Sequence, residues 1–312
     1  MERVYKGETI CQGRFKSGDK KGSPCDKVAY YSLGDGYFCG VHCKDVNRVE
    51  LPVNPRKDEI KKVANTTRED EVVTFMTANI KNGLKGQVVV TKLYGRKNPD
   101  HKTGFMSVFP NNKHGDRTDG LGMCSLSPMR MGPIVHFCPG VGVATSLENF
   151  WQGSKQYGCE SLKDGTPSDE YFQTRNAMFN DTTPQRHKKV SNFESGVKHS
   201  VWFEEDGTRH LLSYIDSRQV YCEIYEHFAT KTEDFETLRE AREGGMNLNI
   251  IGYDGHDVYR YAGKTLREQF ESAYLDASVP FGHELCLQAL LLLDHDERPW
   301  RKHHTIRVFK TE

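Results

Sequence analysis

Thr145-Ser146-Leu147-Glu148-Asn149-Phe150-Trp151-Gln152-Gly153-Ser154-Lys155-Gln156-Tyr157 is the stretch from which the rest of the chain is read. Thr145 and Glu148 stand three residues apart, the spacing of a capping box, which predicts a helix starting here. Leu147, Phe150, Trp151 and Ser154 recur at helical spacing and give that helix one packing face. Glu148, Gln152 and Lys155 sit at i, i+4 and i+7 on a neighbouring stripe, so a carboxylate, an amide and an ammonium line up along the axis. Such a polar row beside an aromatic face suits a pocket for a sugar or a nucleotide. The plainer expectation is that Glu148 only closes the capping box and that Lys155 is solvated.

Upstream, Leu126 to His136 is a Gly/Pro-punctuated approach carrying Arg130. In a phosphate-handling pocket an arginine there suits bidentate clamping of an anion; otherwise it caps carbonyls or faces water. Further back, Glu71–Thr77 and Gly86–Tyr94 are rich in β-branched residues and read as strands, while the polar Gly95–Gly122 reads as a long loop. Downstream come a helical run from Asp169 and a hairpin across Val201–Leu212 that turns at Asp206-Gly207. A helix opened by Asp216 carries Tyr221, Ile224, Tyr225 and Phe228, and another from about Thr232 stops at Gly244-Gly245. A strand from Met246 opens into the polar turn Tyr253-Asp254-Gly255. Leu266–Leu275 is amphipathic, and a buried helix follows with Ser278 or Pro280 at its start.

The order Ser-Leu-Glu-Asn-Phe-Trp-Gln-Gly-Ser-Lys-Gln-Tyr resembles the Thr-Ser-Glu-His-Tyr-Phe-Gln-Ala-Gln-Lys-Phe signature of the NADAR superfamily. Members of that family are N-glycosidases and hydrolases acting on phosphoribosyl and ADP-ribosyl compounds. The resemblance covers roughly residues 125 to 295 and lies mainly in the order of parts. A long helix over Gln219–Phe228 follows the signature, then a helix ending in glycine, a strand, an acidic turn and a closing helix. Gly252-Tyr253-Asp254-Gly255 occupies the place of the family's Trp-Gly-Asp-Gly, and Pro280-Phe-Gly-His-Glu-Leu-Cys-Leu looks like its Asn-x-Leu-Gly-x-x-Leu-Met helix. The tryptophan of the acidic turn is absent, and the Phe281–Glu284 start has no firm family equivalent.

The resemblance implies that Glu148 takes the signature glutamate and Asp254 the acidic turn residue. Cleaving an N-glycosidic bond develops oxocarbenium character on the sugar, so negative charge near the anomeric carbon and a base for water are both required. Two carboxylates on opposite walls are the usual answer in related chemistry. Lys155 and Arg218 are expected to neutralise phosphates, with Trp151 or Tyr253 stacking on a base and Gln152 supplying hydrogen bonds. His283 with Glu284 adds a second polar pair, although Glu284 near a helix start reads more simply as favoured by the dipole. The expected activity is therefore hydrolysis of a phosphoribosyl or ADP-ribosyl N-glycoside, with ADP-ribosylated nucleic acid among the candidate substrates. The alternative is a non-catalytic reader that binds nucleic acid or an ADP-ribosylated partner; an inert binder has no need of two carboxylates around an anionic ligand.

Outside this region, the first fifty residues read as a small zinc module. Cys11, Cys25 and Cys39 are each separated by thirteen residues, and Cys39-Gly-Val-His42-Cys43 ends the set. Zinc takes four deprotonated S or N ligands, and a C-x2-H knuckle supplies two from one turn. The expected ligands are Cys11, Cys25, Cys39 and His42, with Cys43 as the alternative for the fourth place. Arg14, Lys16, Lys20, Lys21 and Lys27 interleave there with Phe15, Tyr30 and Tyr31, a pattern that suits a nucleic-acid strand and equally a solvated surface.

Lys+Arg and Asp+Glu are both 43 in the 312 residues, so net charge gives no support for a sequence-independent nucleic-acid binder. No apolar run has the length of a membrane span, and the N-terminus lacks a signal-peptide core, so a soluble, intracellular (cytoplasmic or nuclear) protein with no membrane partner is expected. The expected architecture is α+β: a zinc module over 1–50, a linker or short surface helix over 51–70, and over 71–312 a mostly helical NADAR-like catalytic domain with a small sheet.

Overall fold

The computed structural model describes residues 9–15, 21–51, 55–94, 99, 101–185, 187, 196–261, 265–303 and 306–311, without the side chains of 55–64, 66 and 67. The chain divides into two compact units, Met1–Thr67 and Arg68–Glu312.

In the first unit, β1 (Tyr31–Leu33), β2 (Gly36–Phe38) and β3 (Val49–Glu50) form an antiparallel sheet in the order β2-β1-β3. Leu33 pairs with Gly36, so Gly34-Asp35 is a two-residue turn, and Gly34 takes the left-handed φ of +58° that its first position demands. These strands are too short to enclose apolar side chains. The buried cluster is instead Cys11, Cys25 and Cys39, with Phe15 and Phe38 packed against it.

Helix α1 (Pro55–Lys81) overturns one expectation and decides between two others. It absorbs Glu71–Thr77, which reads as a strand, and of the two readings of 51–70, linker or surface helix, it takes the helical one from Pro55 on; residues 52–54 lie outside the described set. Val72 is buried and Met76 and Asn79 are half-buried, a stripe at i, i+4 and i+7. Asn79 Nδ2 donates to the Gly245 carbonyl at 2.8 Å and to Asn247 Oδ1 at 3.1 Å. Tertiary packing of that stripe outweighs the β preference of the valines.

The second unit is α+β. Its main sheet is wholly parallel, in the order β4-β12-β5-β6, from β4 (Val88–Lys92), β5 (Met106–Phe109), β6 (Leu121–Gly122) and β12 (Leu248–Gly252). Strands β5 and β6 lie within Gly95–Gly122, which reads as a loop from its polar composition. A two-stranded ladder pairs β7 (Ile134–Val135) with β8 (Val143–Ala144). A third sheet, order β11-β10-β9, joins β9 (Lys155–Tyr157) to the hairpin of β10 (Val197–Phe203) and β11 (Arg209–Leu212).

The helices are α2 (Leu147–Gly153), α3 (Asp169–Asn180), α4 (Tyr214–Ala229), α5 (Glu233–Glu243), α6 (Leu266–Leu275), α7 (His283–Leu292) and α8 (Pro299–Lys302). Helix α4 starts two residues before Asp216, because Ser213 caps it by accepting from the Asp216 N–H. Helix α7 is capped by Gly282 rather than by Ser278 or Pro280. It is apolar on nearly every face and lies between the sheet (β4, β12) and α4. The core runs continuously from Val88 and Ile250 of the sheet through Leu285 and Leu287 to Ile224, Phe150 and Trp202.

Candidate active site and metal centre

The loops that leave β5 and β12 at their carboxyl ends sit side by side, because the two strands are neighbours in a parallel sheet. That is the place where open α/β sheets form ligand crevices. Here the crevice is a cavity of about 540 Å³, within the range of small-molecule sites. Asn111–His114 and Tyr253-Asp254 line one side; α2, β9 and the first turns of α4 line another through Glu148, Trp151, Gln152, Lys155, Tyr214 and Tyr221; the approach to α7, Pro280–Glu284, closes it. Asn111 ties the two strand ends together, its Nδ2 donating to the Ile251 carbonyl at 3.1 Å.

Helix α2 differs locally from the expected capping box. Ser146, not Thr145, is the N-cap, and its Oγ accepts from the Asn149 N–H at 3.2 Å. The Thr145 hydroxyl donates to the Asp181 carbonyl instead. Glu148 therefore closes no capping box and is left to the cavity. Its Oε1 accepts from Gln152 Nε2 at 3.0 Å, and Gln152 Oε1 accepts from Lys155 Nζ at 3.0 Å. The helix ends at Gly153, so Lys155 belongs to β9 rather than to a further turn, yet the polar row survives. Lys155 Nζ also lies 5.2 Å from the centre of the Trp151 ring.

Tyr221 reports on how close the acids come. Burial pushes its phenol well above the ordinary value, with Cys286, Glu148, Tyr225 and Glu284 adding to the effect. Glu148 from α2 and Glu284 from α7 thus both act on one hydroxyl of α4. Across the cavity the His114 and Tyr253 rings meet at a tilt of 41°, with centres 6.2 Å apart. Burial, with Arg117 nearby, lowers the His114 imidazole below its usual range. Asp254 and Tyr253 stand at the open rim, and Tyr253 is 49% exposed.

Two expected phosphate ligands are placed otherwise. Arg218 touches the cavity but is 1% exposed, and its terminal nitrogens are committed to carbonyls. Nη2 donates to Asp276 at 3.1 Å and to Val279 at 2.5 Å, and Nη1 to Ala273 at 3.4 Å and to Tyr274. An internal guanidinium with its forks occupied holds the α6–α7 connection, in place of the phosphate-neutralising role expected of it. Arg130 is exposed and off the cavity lining, with Nε donating at 2.6 Å to Asn112, which does line it.

The reading from sequence passed over Glu284 as a dipole-favoured helix residue. Its side chain is 1% exposed, and Oε2 has no hydrogen-bond partner among the described residues. Two glycines make the space: a Cβ at Gly252 would collide with Oε1, and one at Gly282 would lie 3.0 Å from Oε2. The signal was present as glycines at both the β12 end and the α7 start, but only the fold brings them to one carboxylate.

In the first unit, the ligand atoms of Cys11, Cys25, Cys39 and His42 lie within 4.8 Å of one another. Cys11 Sγ and Cys39 Sγ stand 3.5 and 3.4 Å from His42 Nδ1, and Cys25 Sγ is 3.9 Å from Cys39 Sγ. Tetrahedral zinc, with Zn–S near ~2.3 Å and Zn–N near ~2.0 Å, sets S···N edges of about 3.5 Å and S···S edges of about 3.8 Å. The group is compatible with that geometry. Gly13 is required here, since a Cβ would strike the His42 ring, and its N–H donates to Cys11 Sγ at 3.4 Å. Burial opposes a thiolate at Cys39, but backbone N–H groups of His42 and Val41 overcome it and bring the group down to about 6. Cys43 is buried but lies outside this group, whose fourth member is His42. Of the expected nucleic-acid face, Lys16 and Lys20 lie outside the described residues, Phe15 packs edge-on against His42, and Arg14 donates to the Gly22 carbonyl at 2.8 Å.

No protein-family model, curated protein or solved structure matches this chain. Among the described residues no helix is long and apolar enough to cross a membrane.

Proposed function

We propose that the second unit is a hydrolase that cleaves the N-glycosidic bond of a phosphoribosyl or ADP-ribosyl compound. The observation that carries this reading is that Glu148 and Asp254, more than a hundred residues apart in sequence, both line one cavity at the carboxyl ends of a parallel sheet. A sugar held between them has negative charge available as its anomeric carbon becomes cationic, and a carboxylate to take the proton of the attacking water. Trp151 and Tyr253 offer faces for a base. Lys155, anchored by Gln152 and Trp151, supplies the positive charge for a phosphate, and Lys113 on the opposite loop adds a second ammonium. With Arg218 committed to carbonyls, phosphate recognition rests on these lysines.

In the first unit we assign the ion at Cys11, Cys25, Cys39 and His42 as structural zinc. The four-ligand set leaves no open position for chemistry, as in structural sites. The function is tested by mass spectrometry of nucleotides and ADP-ribosylated oligonucleotides incubated with the purified protein. Release of a free base together with ribose phosphate or ADP-ribose is expected. Binding of ADP-ribose without any release would favour a non-catalytic reader of ADP-ribosylated partners.

A further inference from the structure

Glu284 combines three features that a capping residue lacks. Helix α7 takes its cap from Gly282, and the first-turn N–H groups of Leu285 and Cys286 bond to the Gly282 carbonyl, so the carboxylate is not needed to cap. Its Oε2 is buried and without a hydrogen-bond partner among the described residues, in a wall of the cavity. Finally, Glu284 Oε2 and Asp254 Oδ2 both lie within 3.8 Å of a single point, the position a Cβ would take at Gly282. A buried carboxylate oxygen that makes no hydrogen bond costs free energy, and such cost is retained where a group has work to do.

His283 specifies what the group carries. Its Nε2 is 3.1 Å from the Pro110 carbonyl, which can only accept, so Nε2 bears a hydrogen. Its Nδ1 is 3.3 Å from Glu284 Oε2. With Nε2 committed to Pro110, Nδ1 is the ring nitrogen that faces the carboxylate, and a proton placed on either atom makes this contact attractive. The other titratable groups that face Glu284 are Tyr221 and Tyr225 from α4, Cys286 from its own helix, and Asp254 from the turn after β12.

We propose that Glu284, paired with His283, delivers the proton to the departing base, a proposal that rests on the N-glycosidase reading above. As the bond between the anomeric carbon and the base nitrogen breaks, its electron pair goes to nitrogen, which takes the Glu284 proton. Water supplies the hydroxyl to the anomeric carbon, and its other proton goes to the carboxylate of Glu148 or Asp254. Proton transfer through solvent restores both acids. The division of labour is then an enclosed donor on α7 and two more accessible acceptors, half-buried Glu148 on α2 and exposed Asp254 at the rim.

The test compares two leaving groups. Nicotinamide leaves its mononucleotide as a neutral pyridine and needs no proton, whereas adenine leaves adenosine monophosphate as an anion unless it is protonated. Glu284→Gln should slow release of adenine by about 10²–10⁴-fold and release of nicotinamide by less than about tenfold. Glu148→Gln should slow both alike. Equal losses on the two probes, or none, in folded Glu284→Gln would overturn the donor role while leaving the hydrolase reading intact. Wild-type protein inert toward both probes would overturn the hydrolase reading and the donor role with it. Nitrogen NMR of His283 provides a check without turnover: its ring signals should shift in Glu284→Gln, and an unchanged ring would overturn the pairing.

Discussion

The two units hold themselves together by opposite means, and each gathers its unsatisfied groups for a different partner. In Met1–Thr67 the buried cluster is the ligand set itself, three cysteines with Phe15 and Phe38 beside them. In Arg68–Glu312 a continuous apolar core runs from the sheet through α7 and α4, and Glu284 of α7, whose Oε2 makes no hydrogen bond among the described residues, is turned to a cavity. The first arrangement groups four side chains at metal-binding distance in place of an apolar core. The second rests on packed apolar side chains, and its cavity is lined by Glu148, Asp254 and Glu284.

The largest effect that would break this contrast is on the metal. Cys39→Ser should release zinc and unfold the first unit, since structural zinc supplies about 10–16 kcal/mol in comparable small modules. The second unit should keep its melting transition in calorimetry. Loss of both transitions together would mean that the units do not stand on their own cores.

Next in size is Arg218. Arg218→Met fills the space but strips the donors from carbonyls at 273–279, each of which costs about 1–3 kcal/mol when left unmade. Denaturant unfolding should show a loss of about 3 kcal/mol or more, with ADP-ribose affinity in the surviving folded protein close to wild type. A selective loss of affinity with stability unchanged would return Arg218 to phosphate binding.

The core of the second unit should also record pH. His136 stacks on Phe150 and against the edge of Phe179, its Nδ1 accepts from the Cys138 N–H, and burial, with Arg175, brings its imidazole down to about 4 from an ordinary value of 6.5. The unfolded chain therefore binds a proton that the folded chain refuses. Its contribution, up to about 3 kcal/mol, is present above pH 6.5 and is lost as pH falls toward 4. His136→Phe should flatten the stability curve across that window.

The smallest effect concerns Lys155. Removing an ammonium that faces a phosphate should weaken ADP-ribose binding by about tenfold, and the loss should shrink as salt rises. Calorimetry on Lys155→Ala at two ionic strengths checks this, and an unchanged affinity would assign the phosphate to Lys113.

What could be read from the chain follows from how local each feature is. The Glu148–Gln152–Lys155 row lies within eight residues, and the zinc knuckle within four, so both are legible as spacing. The helices over 233–243 and 266–275 announce themselves through Thr232 and Thr265 caps. Strand β5 did not, because Met106-Ser-Val-Phe is short and lies in a polar stretch; its pairing with β12 is what makes it a strand. With β5 unseen, Asn111–His114 could not be placed at a strand end, nor could the cavity be located there. Glu284 and Arg218 were misjudged for the same reason. One is a buried acid cradled by glycines from two elements, the other a buried base spent on carbonyls sixty residues away, and neither partner set is visible in the residues around them.

The account stands or falls on Glu148. Glu148→Gln keeps volume and an acceptor for Gln152, and because Ser146 caps α2 the change leaves the helix start untouched. Turnover of a phosphoribosyl or ADP-ribosyl N-glycoside and calorimetric binding of ADP-ribose should be measured side by side on this variant. The account predicts turnover lowered about 10²–10⁴-fold with affinity within a few-fold of wild type. Turnover equal to wild type in the folded variant would contradict it.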